Sequence, residues 1–141
     1  MVPVIDKIMV SLLCSDDEGV VLDQAVFFAE KFEASLVAIH VNDTHAGEMS
    51  MMMDSPGPKL TEDIIKDMFK EHGYEHWLDK LEIRLPEGEI VSKTIAEHAQ
   101  DIGLLVLGHR KMSTFKASFM DSVDEGIANL VPCPVVVVQK N

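Results

Sequence analysis

Four short stretches of this chain are predominantly aliphatic: Ile5 to Leu13, Ser35 to Val41, Leu104 to Leu107 and Val135 to Gln139. Each is a β-branched or aliphatic run too short for a helix, so each predicts a strand. Leu81 to Leu85 predicts a fifth, weaker one. Their near-continuous apolarity, in place of strict alternation, suits strands covered by helices on both faces, the environment of a parallel sheet. Between the strands the apolar spacing changes to three and four. Val21, Leu22, Ala25, Phe28, Ala29 and Phe32 make one helical stripe, and Leu60, Ile64, Ile65, Met68 and Phe69 a second. Val91, Ile95, Ala99 and Ile102 make a third, and Val123, Ile127 and Leu130 a fourth. Ser15 or Asp16 is the expected cap of the first helix.

The resulting order β-α-β-α-β-α-β-α-β predicts an α/β fold, a five-stranded parallel doubly wound sheet of strand order 3-2-1-4-5 with helices on both faces. In such a sheet a ligand crevice opens beyond the strand C-termini where the connections reverse direction, between strands one and four. That sets Leu13 to Asp16 opposite Gly108 to Lys111. The connection 42–59 is long and carries Gly47, Met51 to Met53 and Pro56-Gly57-Pro58, so Thr44 to Pro58 is expected to be the most mobile segment. With 141 residues and 47% hydrophobic content, residues 1–141 are expected to form one domain, since a break at that connection would leave halves too small to fold alone.

Charge narrows the partners. Twenty-four acidic against 12 basic residues give a formal net charge of −12, which repels polyanions, so neither nucleic acid nor an anionic membrane surface is an expected partner. No apolar run approaches the roughly 20 residues of a membrane helix, and the N-terminus meets Asp6 before a leader-like apolar stretch can form. A cytoplasmic location is the expectation. The two cysteines, Cys14 and Cys133, have no C-x-x-C spacing and read as small buried hydrophobes.

Three stretches together carry a family resemblance. Lys7-Ile8-Met9-Val10, an acidic turn and the helix Gln24 to Phe32 come first, and Leu36-Val37-Ala38-Ile39-His40-Val41 second. The third and most specific is Asp101-Ile102-Gly103-Leu104-Leu105-Val106-Leu107-Gly108-His109-Arg110 with Val131-Pro132-Cys133-Pro134-Val135-Val136-Val137-Val138. This pattern resembles the universal stress protein family, which implies the adenine nucleotide alpha hydrolase-like version of the fold, and it spans almost the whole chain. ATP-binding members of that family carry glycine, two residues, glycine, nine residues, then glycine followed by Ser or Thr. Glycines let backbone approach phosphate closely, and the last opens a helix whose free N–H groups favour an anion. Here Gly108 and Ser122 stand in register, but Lys111 and Asp121 occupy the other two glycine positions. Where the ATP-binding relatives place an aspartate at the end of strand one, this chain has Leu13. The resemblance is therefore to the branch that dimerises without tight ATP binding. If the degenerate site still works, the resemblance assigns Val41, Gly108, Arg110, Ser122 and Val123 to the nucleotide.

Other candidate chemistry is weaker. Met49 and Met51 to Met53 with His45 offer soft Cu(I) ligands, but methionine in a loop is more often adaptable packing. His72 and His76 have the i, i+4 spacing of a zinc pair, yet Gly73 lies between them and no third ligand is near in sequence, so a helix end with a half-buried histidine is the stronger reading. His109, Arg110, Lys111 and Lys116 are the densest basic cluster, readable as an anion site or as a solvated loop paired with Asp121 and Asp124. No G-x-S-x-G elbow or phosphate loop is present. Cys14, near the crevice mouth, is the one conceivable nucleophile. The expected function is thus a non-enzymatic homodimer acting through its surfaces, with no cofactor, no metal and no catalytic residue. A weak ATP switch is the rival reading and a weak nucleotide hydrolase the second. The dimer is expected to form through the edge strand Val135, Val136, Val137 and Val138, which is apolar and a pairing hazard unless covered.

Overall fold

The computed structural model describes residues 4–13, 15–44, 59–110 and 122–140; the side chains of residues 110 and 122–125 lie outside that description. Its elements are β1 (Lys7–Ser11), α1 (Gly19–Phe32), β2 (Ser35–Ile39), α2 (Glu62–Glu71), a 3₁₀ turn (Glu75–Trp77), β3 (Glu82–Arg84), α3 (Val91–His98), β4 (Leu104–Arg110), α4 (Ser122–Leu130) and β5 (Val135–Lys140). The strands form one sheet in the order β3-β2-β1-β4-β5, and every pairing is parallel. This is the expected doubly wound topology, with β3 and β5 at the edges.

Alternation along the strands divides the core in two. Ile8, Val10, Leu36, Ala38, Leu104 and Val106 face α1 and α2, where Leu22, Ala25, Ile65 and Phe69 meet them. Met9, Val37, Ile39, Leu105 and Leu107 face α3 and α4, meeting Ile95, Ala99 and Ile127. Both faces of the central strands are dry, which explains why their sequences do not alternate. In the edge strand, Val136 and Val138 pack on the α1 side and Val135 on the α4 side.

Several details differ from the sequence expectation. Strand β1 is shorter than Ile5 to Leu13, and β2 ends before Val41, although Leu12 N–H still donates to Ile39 C=O at 2.9 Å. Strand β4 runs on past Leu107 to Arg110 because β5 pairs with it along its whole length. Neither Ser15 nor Asp16 caps α1. The capping position is Glu18 and makes no side-chain capping bond; the Ser15 hydroxyl turns instead to Asp17 and Glu18. Thr61 does cap its helix, accepting from Ile64 N–H at 3.4 Å, with Glu62 and Asp63 favourably placed in the first turn of α2.

Histidines 72 and 76 do not share a helix face. Helix α2 stops at Glu71, Gly73 turns the chain with φ +83°, and His76 sits in the 3₁₀ turn. Both are exposed rather than half-buried, and His76 lies 3.7 Å from Glu30. Cys133 is partly exposed, not a buried hydrophobe, and burial pushes its thiol pKa up. Cys14, the Met49 to Met53 run with His45, the mobility expected for 44–58 beyond Thr44, and Lys111, Lys116 and Asp121 lie outside the described residues.

Candidate functional site

The register of β1 against β4 pairs Ser11 with Leu107, so the chain leaves β1 at Leu12 and Leu13 alongside Gly108. The C-terminal ends of β1 and β4 thus lie side by side, where this topology puts a ligand crevice. Val41, just beyond β2, is buried with the α3-side core, and Asn42 follows it. Arg110 ends β4, while Ser122 and Val123 begin α4. The residues assigned by resemblance therefore belong to the crevice end of the sheet, on β4, the start of α4 and the exit from β2. Leu13 is half-exposed at the mouth, where its side chain offers no hydrogen bond.

The polar centre beside this mouth was not anticipated. Glu18 and Lys140 are 2% and 3% exposed, and they form a direct ion pair. Lys140 also reaches Asp17 at 3.2 Å and lies 3.5 Å from the Ser15 hydroxyl. The second oxygen of Glu18 accepts Leu13 N–H at 3.0 Å, and Ser15 donates to Asp17 at 2.7 Å. One carboxylate thereby ties the end of β1, the turn before α1 and the end of β5. Gly108 is what lets the lysine through. A Cβ there would stand 2.7 Å from Val21 Cγ2 and 2.9 Å from Lys140 Cδ, so on the α1 side this glycine accommodates helix and lysine stem. Alternation could have flagged Lys140, since residues 136, 138 and 140 share a face; nothing in the sequence singled out Glu18.

Asn42 is a second unanticipated centre. Fully buried, it donates through Nδ2 to Leu60 C=O at 3.0 Å and accepts Leu60 N–H at 2.9 Å. Its backbone N–H donates to Pro86 C=O, and its carbonyl accepts Gly88 N–H. The amide side chain imitates a strand partner and clamps together the two ends of the connection 43–59.

Charge pairs away from the crevice are structural. Arg84 donates to both oxygens of Asp101, at 3.1 and 2.9 Å, and to His98 C=O at the end of α3, while Lys7 adds a bond to Asp101 at 3.1 Å. The Arg84 hydrogen bonds hold the Asp101 carboxyl well below the usual carboxylate range, and Asp101 in turn raises Arg84. Among the described residues no group of three or more His, Cys, Asp or Glu is arranged to hold a metal ion. No described helix is long and apolar enough to cross a membrane.

Fold and sequence pattern converge with known proteins. The chain belongs to the universal stress protein family, whose pattern matches residues 5–139. Universal stress protein YxiE of Bacillus subtilis (strain 168) is 26% identical over 147 residues, which cover 95% of this chain and 99% of that protein. A universal stress protein solved in complex with cAMP superposes with a TM-score of 0.69 at 19% identity, covering 99% of this chain and all of the other. The universal stress protein from Archaeoglobus fulgidus in complex with dAMP gives a TM-score of 0.57 at 17% identity, covering 96% and 99% of the two chains.

Proposed function

We propose that this universal stress protein is a non-enzymatic homodimer that works through its surfaces and does not bind ATP tightly. The observation that carries the nucleotide part is the state of the crevice mouth. Leu13 presents an alkyl group there, and its backbone N–H, a donor that an incoming anion would seek, is already taken by Glu18. Lys111 and Asp121 at glycine positions of the motif weigh the same way, and with Leu13 they would weaken triphosphate binding more than about a hundredfold, each ~1.4 kcal/mol being tenfold.

The homodimer is supported by β5, a valine-rich edge strand paired on one side alone among the described residues. Absence of catalysis is supported by the polar cluster itself. Ser15 is its one hydroxyl among the described residues, and it donates to Asp17 and Glu18, the carboxylates that also hold Lys140. A cytoplasmic site of action fits the family.

Relatives solved with cAMP and with dAMP favour a second reading, a mononucleotide switch. A ligand with one phosphate makes less demand on the degenerate motif than a triphosphate does. Calorimetry with ATP, cAMP and dAMP separates the two. The expected result is no ATP binding at micromolar ligand, with partial recovery in the Leu13→Asp, Lys111→Gly, Asp121→Gly triple variant. Micromolar binding of ATP by the unmodified protein would refute the first reading, and binding of cAMP or dAMP without ATP would establish the second.

A further inference from the structure

We infer that the groove between the end of α1 and the 3₁₀ turn is a recognition site for an alkylguanidinium, the group that ends an arginine side chain, and that Lys80 is the protein's own stand-in for that cation on the ring of Trp77. The groove lies at the opposite end of the sheet from the crevice, since Ser35, the first residue of β2, belongs to its lining. It is therefore independent of the nucleotide reading.

The groove encloses about 330 Å³, in the range of small-ligand sites. Ala29, Ala34 and Trp77 are its buried lining, and Glu30, Glu33 and Lys80 its exposed lining. The chain builds it from two turns. The one after α2 seats Trp77 against α1, where the indole N–H donates to Glu30 Oε1 at 3.5 Å. Three residues on, the Lys80 backbone N–H donates to Trp77 C=O at 3.1 Å, and the Lys80 ammonium stands 4.3 Å from the centre of the Trp77 ring. The other turn ends α1 at Glu33, whose φ of +53° is the left-handed conformation usually given to glycine. A strained backbone position thus carries a carboxylate to the groove.

The lining leaves its charges mismatched. Among the described residues Lys80 forms no ion pair, although two carboxylates line the same groove; its ammonium rests on the aromatic face instead. Glu30 faces His76 at 3.7 Å, but Glu33 has no ion-pair partner among the described residues. The ring holds a cation and the carboxylate lacks one. A guanidinium answers both needs at once, because it is planar and weakly hydrated, stacks on an aromatic face and offers a fork of donors to a carboxylate. The lysine ammonium is a compact, strongly hydrated point charge that serves the ring alone. An alkyl stem would lie on Ala29 and Ala34. The net charge of −12 draws cations to the protein as a whole.

Trp77 is the chain's one tryptophan, so its fluorescence reports the groove alone. It is titrated at constant ionic strength with agmatine, a butylamine that ends in a guanidinium, and with putrescine, the same stem ending in an ammonium. A blocked Gly-Arg-Gly tripeptide presents the guanidinium as an arginine side chain. The expected result is a saturable change in emission with agmatine or the tripeptide, and binding of putrescine weaker by at least about fivefold. Whichever guanidinium probe binds tells a free alkylguanidine from an arginine in a partner chain. Lys80→Ala should tighten binding by about threefold, since the ring is vacated, and Glu33→Gln weaken it by about fivefold. Asp63→Asn, the same charge change on α2, should leave it unchanged. All three substituted residues are exposed, so folding should persist, checked by circular dichroism. No saturable response to either guanidinium probe, an equal response to putrescine, weaker binding in Lys80→Ala, or equal losses in Glu33→Gln and Asp63→Asn would each overturn the inference.

Discussion

Lys140 shows how one side chain can hold three segments. Its stem crosses Gly108 on the α1 side, and its ammonium ends between Glu18 and Asp17, so the last strand is tied to the turn that leaves the first. The two partners are not equivalent. Removing the lysine leaves Glu18, almost fully buried, without its cation, whereas neutralising Glu18 leaves Lys140 still paired with Asp17. Breaking a buried pair from one side commonly costs about 3–5 kcal/mol, through the charge left behind. Lys140→Met should therefore lower the unfolding free energy in urea by about that amount, and Glu18→Gln by less. The double variant Glu18→Met, Lys140→Met should recover most of the loss, because no buried charge is stranded. Equal losses from the two single variants would mean that Asp17 contributes nothing.

At the scale of elements, the strands and apolar stripes were legible because burial on two faces, or on one stripe, leaves a direct mark on residue choice. Ile8 to Val10, Leu36 to Ile39 and Leu104 to Leu107 all lie in strands, and Ile95 and Ile127 meet in the core beneath α3 and α4. Element ends were less legible, because they are set by polar partners distant in sequence. Glu18 with Lys140 and Asn42 with Leu60 are such pairs, and no local pattern couples residues 18 and 140. The assignment of the nucleotide residues rested on motif spacing alone, which is silent about Val21 and Lys140 packed against Gly108. Another distant pair fixes the turn after α2 to α1, where the Tyr74 hydroxyl donates to Asp23. Burial first, then the Asp23 carboxylate, pushes the Tyr74 pKa up to about 12 from 10.0. The raised value means the contact stabilises the fold fully below pH 10 and is lost as pH rises toward 12. Tyr74 is the chain's one tyrosine, so phenolate absorbance reports it alone. The titration midpoint should stand near 12 in the wild type and fall part of the way to 10 in Asp23→Asn, since the burial contribution remains.

For the whole molecule, the net charge of −12 opposes any self-association while leaving the fold itself intact. Two such chains repel at long range, but the proposed contact is through β5, a valine-rich strand without Asp or Glu, so its short-range attraction does not depend on charge. Salt therefore acts on one side of the balance. At 0.01 M ionic strength the screening length is about 30 Å, comparable with the protein, and the two charge clouds feel one another fully. At 0.15 M it is about 8 Å, and most of that repulsion is removed. The dimer should accordingly tighten as salt rises over this range and then level off, while an interface built on opposite charges would loosen throughout. Sedimentation of the wild type in stepped sodium chloride reads the sign directly. A dissociation constant that climbs steadily with salt would mean that ion pairs hold the protomers together, and would place the contact on some other face than the valine-rich edge of β5.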